Sequence, residues 1–319
     1  MLPEAEISVK KVIKGKEDER KKGEDINGWL IVDKPRDIGS TQVVNLTRRL
    51  FNAKKNGHAG TLDPFATGIL PIAFGEATKL LPYVTDGRKE YEFIVQWGKA
   101  TDTGDSEGKI VSESDKIPDR EEILAVIPQF VGQINQVPPA YSAIKINGRR
   151  AYALARSGEE VSIPERTVEV YALELLEELP EGQARFRVEC SKGTYVRSLG
   201  RDLAEKLGTC GFLQELRRTK CGQFGLESKI LLENIKNIVH SDALKEILLP
   251  LETSLRDIAE IAVSEVDADK LKKGQGVSPR AYDIDKLIGR EAAAFCNGSL
   301  IAIVRIEEKR ISPLRVFNL

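Results

Sequence analysis

Histidine is nearly absent from this chain: His58 and His240 are the only two in 319 residues. A Ser-His-Asp triad would have to use one of them, and neither has an obvious serine partner in the sequence. The four cysteines, Cys190, Cys210, Cys221 and Cys296, lie far apart with no CxxC pair. With so few nitrogen donors a zinc site is not expected, and the thiols read as reduced and largely structural. No apolar run is long enough to span a bilayer, and no charged-apolar-small signal opens the chain, so the expected location is the cytoplasm, away from membranes. There is no GxxxxGK[ST] loop, no GxGxxG after a strand, no HExxH and no GxSxG elbow, so nucleotide-dependent, zinc-protease and α/β-hydrolase chemistries have no support. Net charge is scarce as well. The 48 basic and 49 acidic side chains leave a formal charge of -1, so any footprint for a polyanion must be local.

What is present is an ordinary globular composition, 41% hydrophobic and 30% charged, with room for one large domain or a large and a small one. The chain is organised around Gly57-His-Ala-Gly-Thr-Leu-Asp-Pro-Phe-Ala-Thr-Gly-Ile-Leu70. Its glycines permit tight turns and close approach of another backbone, and Pro64 pushes Asp63 towards extended geometry. Such a loop presents one carboxylate. By its residues alone it is either a catalytic loop or a buried turn whose Asp63 caps a helix or bonds nearby N–H groups.

Residues 1–25 carry seven acids and seven bases and few apolar side chains, which predicts a disordered, charged tail. Order is expected from Asn27, with a strand over Trp29 to Val32 stopped by Pro35, then a helix capped by Ser40 with Val43, Leu46 and Leu50 on one face. Ile69 to Phe74 reads as a buried strand and Glu76 to Leu81 as a short helix ended by Pro82. Tyr91, Phe93, Val95 and Trp97 alternate as a half-buried strand. Thr101 to Asp105 is a polar turn whose acids suit an arginine partner better than calcium. A helix is expected around Glu121 to Ile127. Between Pro139 and Thr167, basic residues interleave with Tyr141 and Tyr152, a mixture suited to RNA. Ala184 to Cys190 alternates as a strand and leads into a helix with Val196, Leu199, Leu203 and Leu207 on its buried face, closed by Gly208. Arg197 falls in its first turn. Leu213 to Lys220 reads as a further basic cluster. Beyond Pro250, strand candidates at Ala292–Cys296, Ser299–Ile306 and Arg310–Asn318 suggest a small appended β-barrel or sandwich.

Several of these segments together resemble one family. The run from Gly57 to Pro71 is similar to the catalytic motif of the bacterial tRNA pseudouridine-55 synthases, the TruB type. The likeness extends through Asn27-Gly-Trp-Leu-Ile-Val-Asp-Lys-Pro35, Gly75-Glu-Ala-Thr-Lys79, Thr101-Asp-Thr-Gly-Asp105, Pro139-Ala-Tyr-Ser-Ala-Ile-Lys145 and Cys190-Ser-Lys-Gly-Thr-Tyr-Val-Arg197, covering roughly residues 26–225.

The resemblance implies an α+β fold: a mixed, mainly antiparallel-sheet catalytic domain over 26–250, a tRNA-clamping insertion at 139–167, and a PUA-like RNA-binding β-barrel over 251–319. It implies that Asp63 is the nucleophile or base and that Arg197 pairs with it. Tyr91 would lie beside a flipped-out uracil, Leu216 would line the uracil pocket, and His58 would support the opened T loop. Lys34, Lys79 and Asp105 match further polar positions around the site, with Asp105 holding Arg197. Glu92 departs from the pattern, standing where the family often has arginine. The implied partner is the T-stem loop of tRNA. No cofactor, metal or protein partner is called for, and a monomer is the default.

The chemistry agrees with these residues. Turning uridine into pseudouridine breaks the N-glycosidic bond, rotates the uracil and rejoins it through C5, and a carboxylate can attack a carbon or take a proton and later leave. Addition at C6, attack at C1′ and proton abstraction at C2′ all remain open. Burial would raise the Asp63 pKa while a bonded arginine pulls it down. Two other readings stand beside this one. One is a non-catalytic RNA-binding or tRNA-folding protein of the same fold. The other is a glycosidic hydrolase using Asp63 with Asp105 as its second acid.

Overall fold

The computed structural model describes residues 23–142, 144–146, 148–151, 163–238 and 246–319. Most of the expected charged tail, the middle of the 139–167 insertion including Tyr152, and His240 lie outside the described residues. Gly23 to Asp25 is already tied down: Glu24 exchanges backbone hydrogen bonds with Asn52 and Lys54, and Lys54 pairs with Asp25.

The elements follow the apolar pattern. β1 (Gly28–Lys34) and α1 (Ser40–Leu50) precede β2 (Asn56–His58) and β3 (Thr67–Phe74), and α2 (Leu81–Asp86) leads into β4 (Lys89–Trp97). A ribbon of β5 (Lys99–Thr101) and β6 (Ile110–Glu113), then α3 (Arg120–Val126), comes before β7 (Gly132–Gln136). A small pair, β8 (Lys145–Ile146) and β9 (Arg149–Arg150), falls within residues 139–167. The larger part closes with β10 (Arg166–Leu179), β11 (Gln183–Cys190), α4 (Val196–Lys206), β12 (Gly211–Cys221), β13 (Phe224–Gly225), β14 (Ile230–Leu231) and α5 (Leu232–Ile238).

The main sheet runs β14-β1-β3-β12-β4-β11-β10-β7 and is antiparallel except for the β14–β1 and β12–β3 pairings. Its central strands read as unbroken apolar runs because both faces are covered. In β1, Leu30 and Val32 enter the core shared with Val43 of α1, whereas Trp29 and Ile31 pack against Leu251, Leu255 and Phe317. In β4 the Phe93, Val95 and Trp97 face meets Val196, Leu199 and Leu203 of α4, as their spacings require.

The C-terminal part holds β15 (Ala259–Ala262), α6 (Glu265–Lys272), β16 (Glu291–Cys296), β17 (Ser299–Glu307) and β18 (Arg310–Val316). The expected barrel is instead an open four-stranded sheet, β15-β16-β17-β18. Closure is unnecessary because each face is already buried. Ala292, Ala294, Ala302 and Val304 pack with Leu271 of α6, and Ala293, Leu300 and Ile303 join the core that includes Trp29 and Phe224. Polar ties cross the same seam: Tyr83 donates to Glu291 at 2.6 Å, and Trp29 Nε1 donates to the Leu251 carbonyl at 3.2 Å.

Three local expectations change. Ser40 is the first helical residue, with Gly39 at the cap, and its side chain turns inward. Pro82 opens α2 after a 3₁₀ turn over Gly75–Leu80, since a proline in the first turn forfeits no helical bond. Leu213 to Lys220 belongs to β12, and Arg218 in it is fully buried rather than part of a surface basic cluster.

Candidate active site

The loop from Ala59 to Ala66, between β2 and β3, is fastened by side chains from several elements. Ser40 Oγ donates to the Leu62 carbonyl at 2.9 Å and accepts from the Leu62 N–H at 2.8 Å. Lys34 Nζ donates to the carbonyls of Pro35, Ile38 and Pro64 at 2.9, 2.8 and 3.1 Å. Arg218 donates to Gly60 and Ile69, and the Cys221 thiol to Ala59. With these backbone groups satisfied, the Asp63 carboxylate is left to face α4.

There it meets Arg197, whose Nη2 lies 2.9 Å from Asp63 Oδ2. The start of α4 is set by Gln136 at the end of β7: its buried amide donates to the Tyr195 carbonyl at 3.0 Å and accepts from the Tyr195 N–H at 2.7 Å. The guanidinium is also held at 3.2 Å from Asp105 Oδ2, 2.9 Å from the Thr103 carbonyl and 2.7 Å from the Tyr141 carbonyl. Asp105 in turn accepts from Thr103 Oγ1 at 2.6 Å and from the Glu107 N–H at 3.1 Å. Asp105 is therefore committed to orienting Arg197 and is 4% exposed, while Asp63 keeps 33% of its side chain open.

That opening is a cleft of ≈ 260 Å³ lined by Asp63, Tyr91, Arg197, Leu216, Tyr195 and Arg218, among others. Burial pushes the Asp63 carboxyl up, Arg197 and Lys34 pull it down, Asp105 pushes it up again, and the net direction is upward. The Tyr91 phenol is pushed up to about 12 by burial, so it is a neutral donor near pH 7. Burial lowers the Lys34 ammonium to about 8, against the raising influence of Asp63.

The structure thus brings Asp63, Arg197, Tyr91 and Leu216 to one cleft, with Asp105 and Lys34 immediately behind. His58 lies on β2 opposite Ile72, outside the cleft lining. Burial and the nearby Arg218 lower its pKa, and its Nδ1 has no hydrogen-bond partner among the described residues. Lys79 stands apart: its ammonium binds Glu76 at 2.6 Å and the Val316 carbonyl at 2.7 Å, so it fastens the C-terminal strand. Glu92 pairs with Arg187 on the neighbouring strand at 3.1 Å, which satisfies the departure from the family pattern locally.

Three lining residues escaped the sequence reading. Tyr195, whose ring lies under the Arg166 guanidinium at 4.6 Å, was inside a quoted motif but carried no separate signal. Lys89 caps the end of α2 through the carbonyls of Val84, Thr85 and Gly87. Arg218 looked like one basic residue among several. Lys34, Lys89 and Arg218 are buried cations bound to backbone carbonyls, and together they make the surroundings of the cleft locally basic in a chain with no net basic charge.

The chain is similar to solved structures of low sequence identity that share its fold. One is titled "Crystal Structure of a Cbf5-Nop10-Gar1 Complex", with a TM-score of 0.71 and 24% identity over 91% of this chain and 85% of that one. Family models match at "TruB family pseudouridylate synthase (N terminal domain)" over residues 48–196 and "tRNA pseudouridylate synthase B C-terminal domain" over 197–256. The class is therefore that of the pseudouridylate synthases.

Similar relatives named tRNA pseudouridine synthase B occur in Caulobacter vibrioides, 44% identical over 94% of this chain and 99% of the relative. Another, in Rhodospirillum rubrum, is 46% identical over 94% of this chain and 99% of the relative. A third, in Rhizobium meliloti, is 48% identical over 93% and 97%. The chain belongs to the TruB family of pseudouridylate synthases.

Proposed function

We propose that this chain is a tRNA pseudouridine synthase that isomerises uridine 55 of the T loop, with Asp63 as nucleophile or base. The observation that carries the assignment is the 2.9 Å contact between Asp63 and a buried Arg197 at the edge of a cleft lined by Tyr91 and Leu216. A uridine inside a folded loop must leave its stack to enter such a cleft. Tyr91 then stacks on the uracil, Leu216 closes the other side, and His58 braces the opened loop. Arg197 favours the ionised form of Asp63, which burial opposes.

The reaction breaks the C1′–N1 bond, turns the uracil and forms C1′–C5, after which the C5 proton leaves. An ionised Asp63 serves addition at C6, attack at C1′ and proton removal at C2′ alike. Residues 26–250 make the catalytic unit in this reading. Residues 139–167 clamp the T-stem loop, and 251–319 bind the acceptor side of the tRNA. The enzyme acts as a monomer without a protein partner. The hydrolase reading loses support because Asp105, its only candidate second acid, is spent on Arg197 and Thr103. Incubation with an unmodified tRNA transcript followed by pseudouridine mapping tests the proposal. Free uracil as product would favour hydrolysis, and tRNA binding without product would favour the non-catalytic reading.

A further inference from the structure

Arg218 lies on β12 directly across from Tyr91 on β4 and is 1% exposed. Its Nε donates to the Ile69 carbonyl at 2.7 Å and its Nη2 to the Gly60 carbonyl at 3.0 Å. Those two carbonyls flank the Asp63 loop on either side. Arg218 and Tyr91, neighbours across the two strands, both line the cleft. Two glycines of the motif make room for it. Gly60, at φ +94°, would bring a Cβ within 3.3 Å of Arg218 Nη1, and a Cβ on Gly68, at φ +101°, would overlap the Arg218 carbonyl. Both positive φ values are ones that side chains rarely adopt.

Among the described residues its hydrogen-bond partners are the Gly60 and Ile69 carbonyls rather than a carboxylate. A buried cation without an ion-pair partner is a costly way to fill space, since an apolar side chain of similar volume usually serves stability better. Ser40 and Lys34 already anchor the middle of the loop. What Arg218 adds is a rigid fork, mounted beside the aromatic on the far wall of the cleft, that grips both ends of the nucleophile loop.

We propose that Arg218 is a positioning residue for the isomerisation: from its place beside Tyr91 its guanidinium holds the two carbonyls that flank the Asp63 loop and so sets the gap in which the uracil turns. This rests on the reading given under Proposed function. A misplacement of about 1 Å in such a site costs about 100-fold in rate.

The test compares wild type, Arg218→Lys and Arg218→Met in single-turnover pseudouridine formation on a tRNA transcript, with tRNA affinity and the thermal midpoint measured alongside. Arg218→Lys keeps the charge but lacks the fork that reaches both carbonyls. It is expected to bind tRNA within about threefold of wild type and remain folded, while its rate falls about 100-fold with KM unchanged. Adding Tyr91→Phe to it should cost less than the product of the two single losses, because the two side chains are neighbours that set one gap. A rate for Arg218→Lys within threefold of wild type would overturn the proposal. So would losses that multiply with Tyr91→Phe, or failure of both Arg218 variants to fold, which would make Arg218 a fold anchor only. Absence of pseudouridine from the wild type would overturn the underlying reading as well. Wild-type turnover with an unaffected Arg218→Lys would overturn this proposal alone.

Discussion

Arg197 Nη2 stands 2.9 Å from Asp63 Oδ2, and the carboxylate is the more open of the two, 33% exposed against 4%. Asp63 is thus held in a charged partnership while still titrating above its ordinary value of 3.8, because burial and Asp105 outweigh Arg197 and Lys34.

The sign of that shift is testable. Below its folded pKa Asp63 is protonated and cannot act as nucleophile or base, so the single-turnover rate should fall on the acid side with a midpoint above 3.8. In Asp105→Asn a repelling charge is gone, and the acid limb should move to lower pH. The rate on the plateau should drop about 10- to 100-fold, because Arg197 loses a partner that orients it. A limb that moves upward would contradict the electrostatic account.

Asp33 gives a stability prediction. It accepts from Arg217 at 2.8 and 3.0 Å and lies 3.2 Å from Lys229, tying β1 to β12 and to the segment before β14. Burial pushes its carboxyl up, but hydrogen bonds and charge from Arg217 and Lys229 together hold it below 3.8. The stabilisation is therefore present above the unfolded pKa and lost as pH falls through the lower folded value. Asp33→Asn should cost about 1–3 kcal/mol at neutral pH by denaturant melts. The difference from wild type should shrink in acid.

Lys34 shifts in the same direction in a more alkaline window. Its folded value of about 8 lies below the ordinary 10.5, so between these values the unfolded chain binds more protons and wild-type stability should rise with pH. Lys34→Met should lose that rise. It should also be destabilised by about 1–3 kcal/mol at pH 7, having left the Pro35, Ile38 and Pro64 carbonyls without their donor. Thermal melts across pH 7 to 10 read both effects.

A chain of net charge -1 that grips tRNA must do so through local cations such as Arg166 and Lys192 at the cleft. Affinity for tRNA should therefore fall steeply with salt, with a log–log slope of about -0.7 to -0.9 per phosphate contacted. An affinity indifferent to salt would count against an RNA-binding surface here.

Much of the fold was legible because its core strands and helices keep simple periods. Alternation in Tyr91–Trp97 and Ala184–Cys190, and the helical spacing of Val196 to Leu207, all became elements with the expected buried faces. The open C-terminal sheet was not legible. Whether a few strands close on themselves depends on what covers their faces, and here α6 and the Trp29 core do so. At the site, Asp63, Arg197, Tyr91 and Leu216 line one cleft. Lys79 does not join them, because a local Glu76 and a distant carbonyl on β18 claim its ammonium. Arg218 was hidden for the converse reason: only strand pairing shows that one arginine of a basic-looking run points into the protein opposite Tyr91.

The central claim is that Asp63 performs the chemistry in a cleft that binds tRNA independently of it. The most direct measurement is pseudouridine mapping of position 55 in an unmodified tRNA transcript, with wild type and Asp63→Asn, alongside tRNA affinity for both. Wild type should convert the base, and Asp63→Asn should form no product while binding tRNA within about threefold of wild type, since an isosteric neutral side chain removes the reaction and not the cleft. Pseudouridine formed at position 55 by Asp63→Asn would contradict the account.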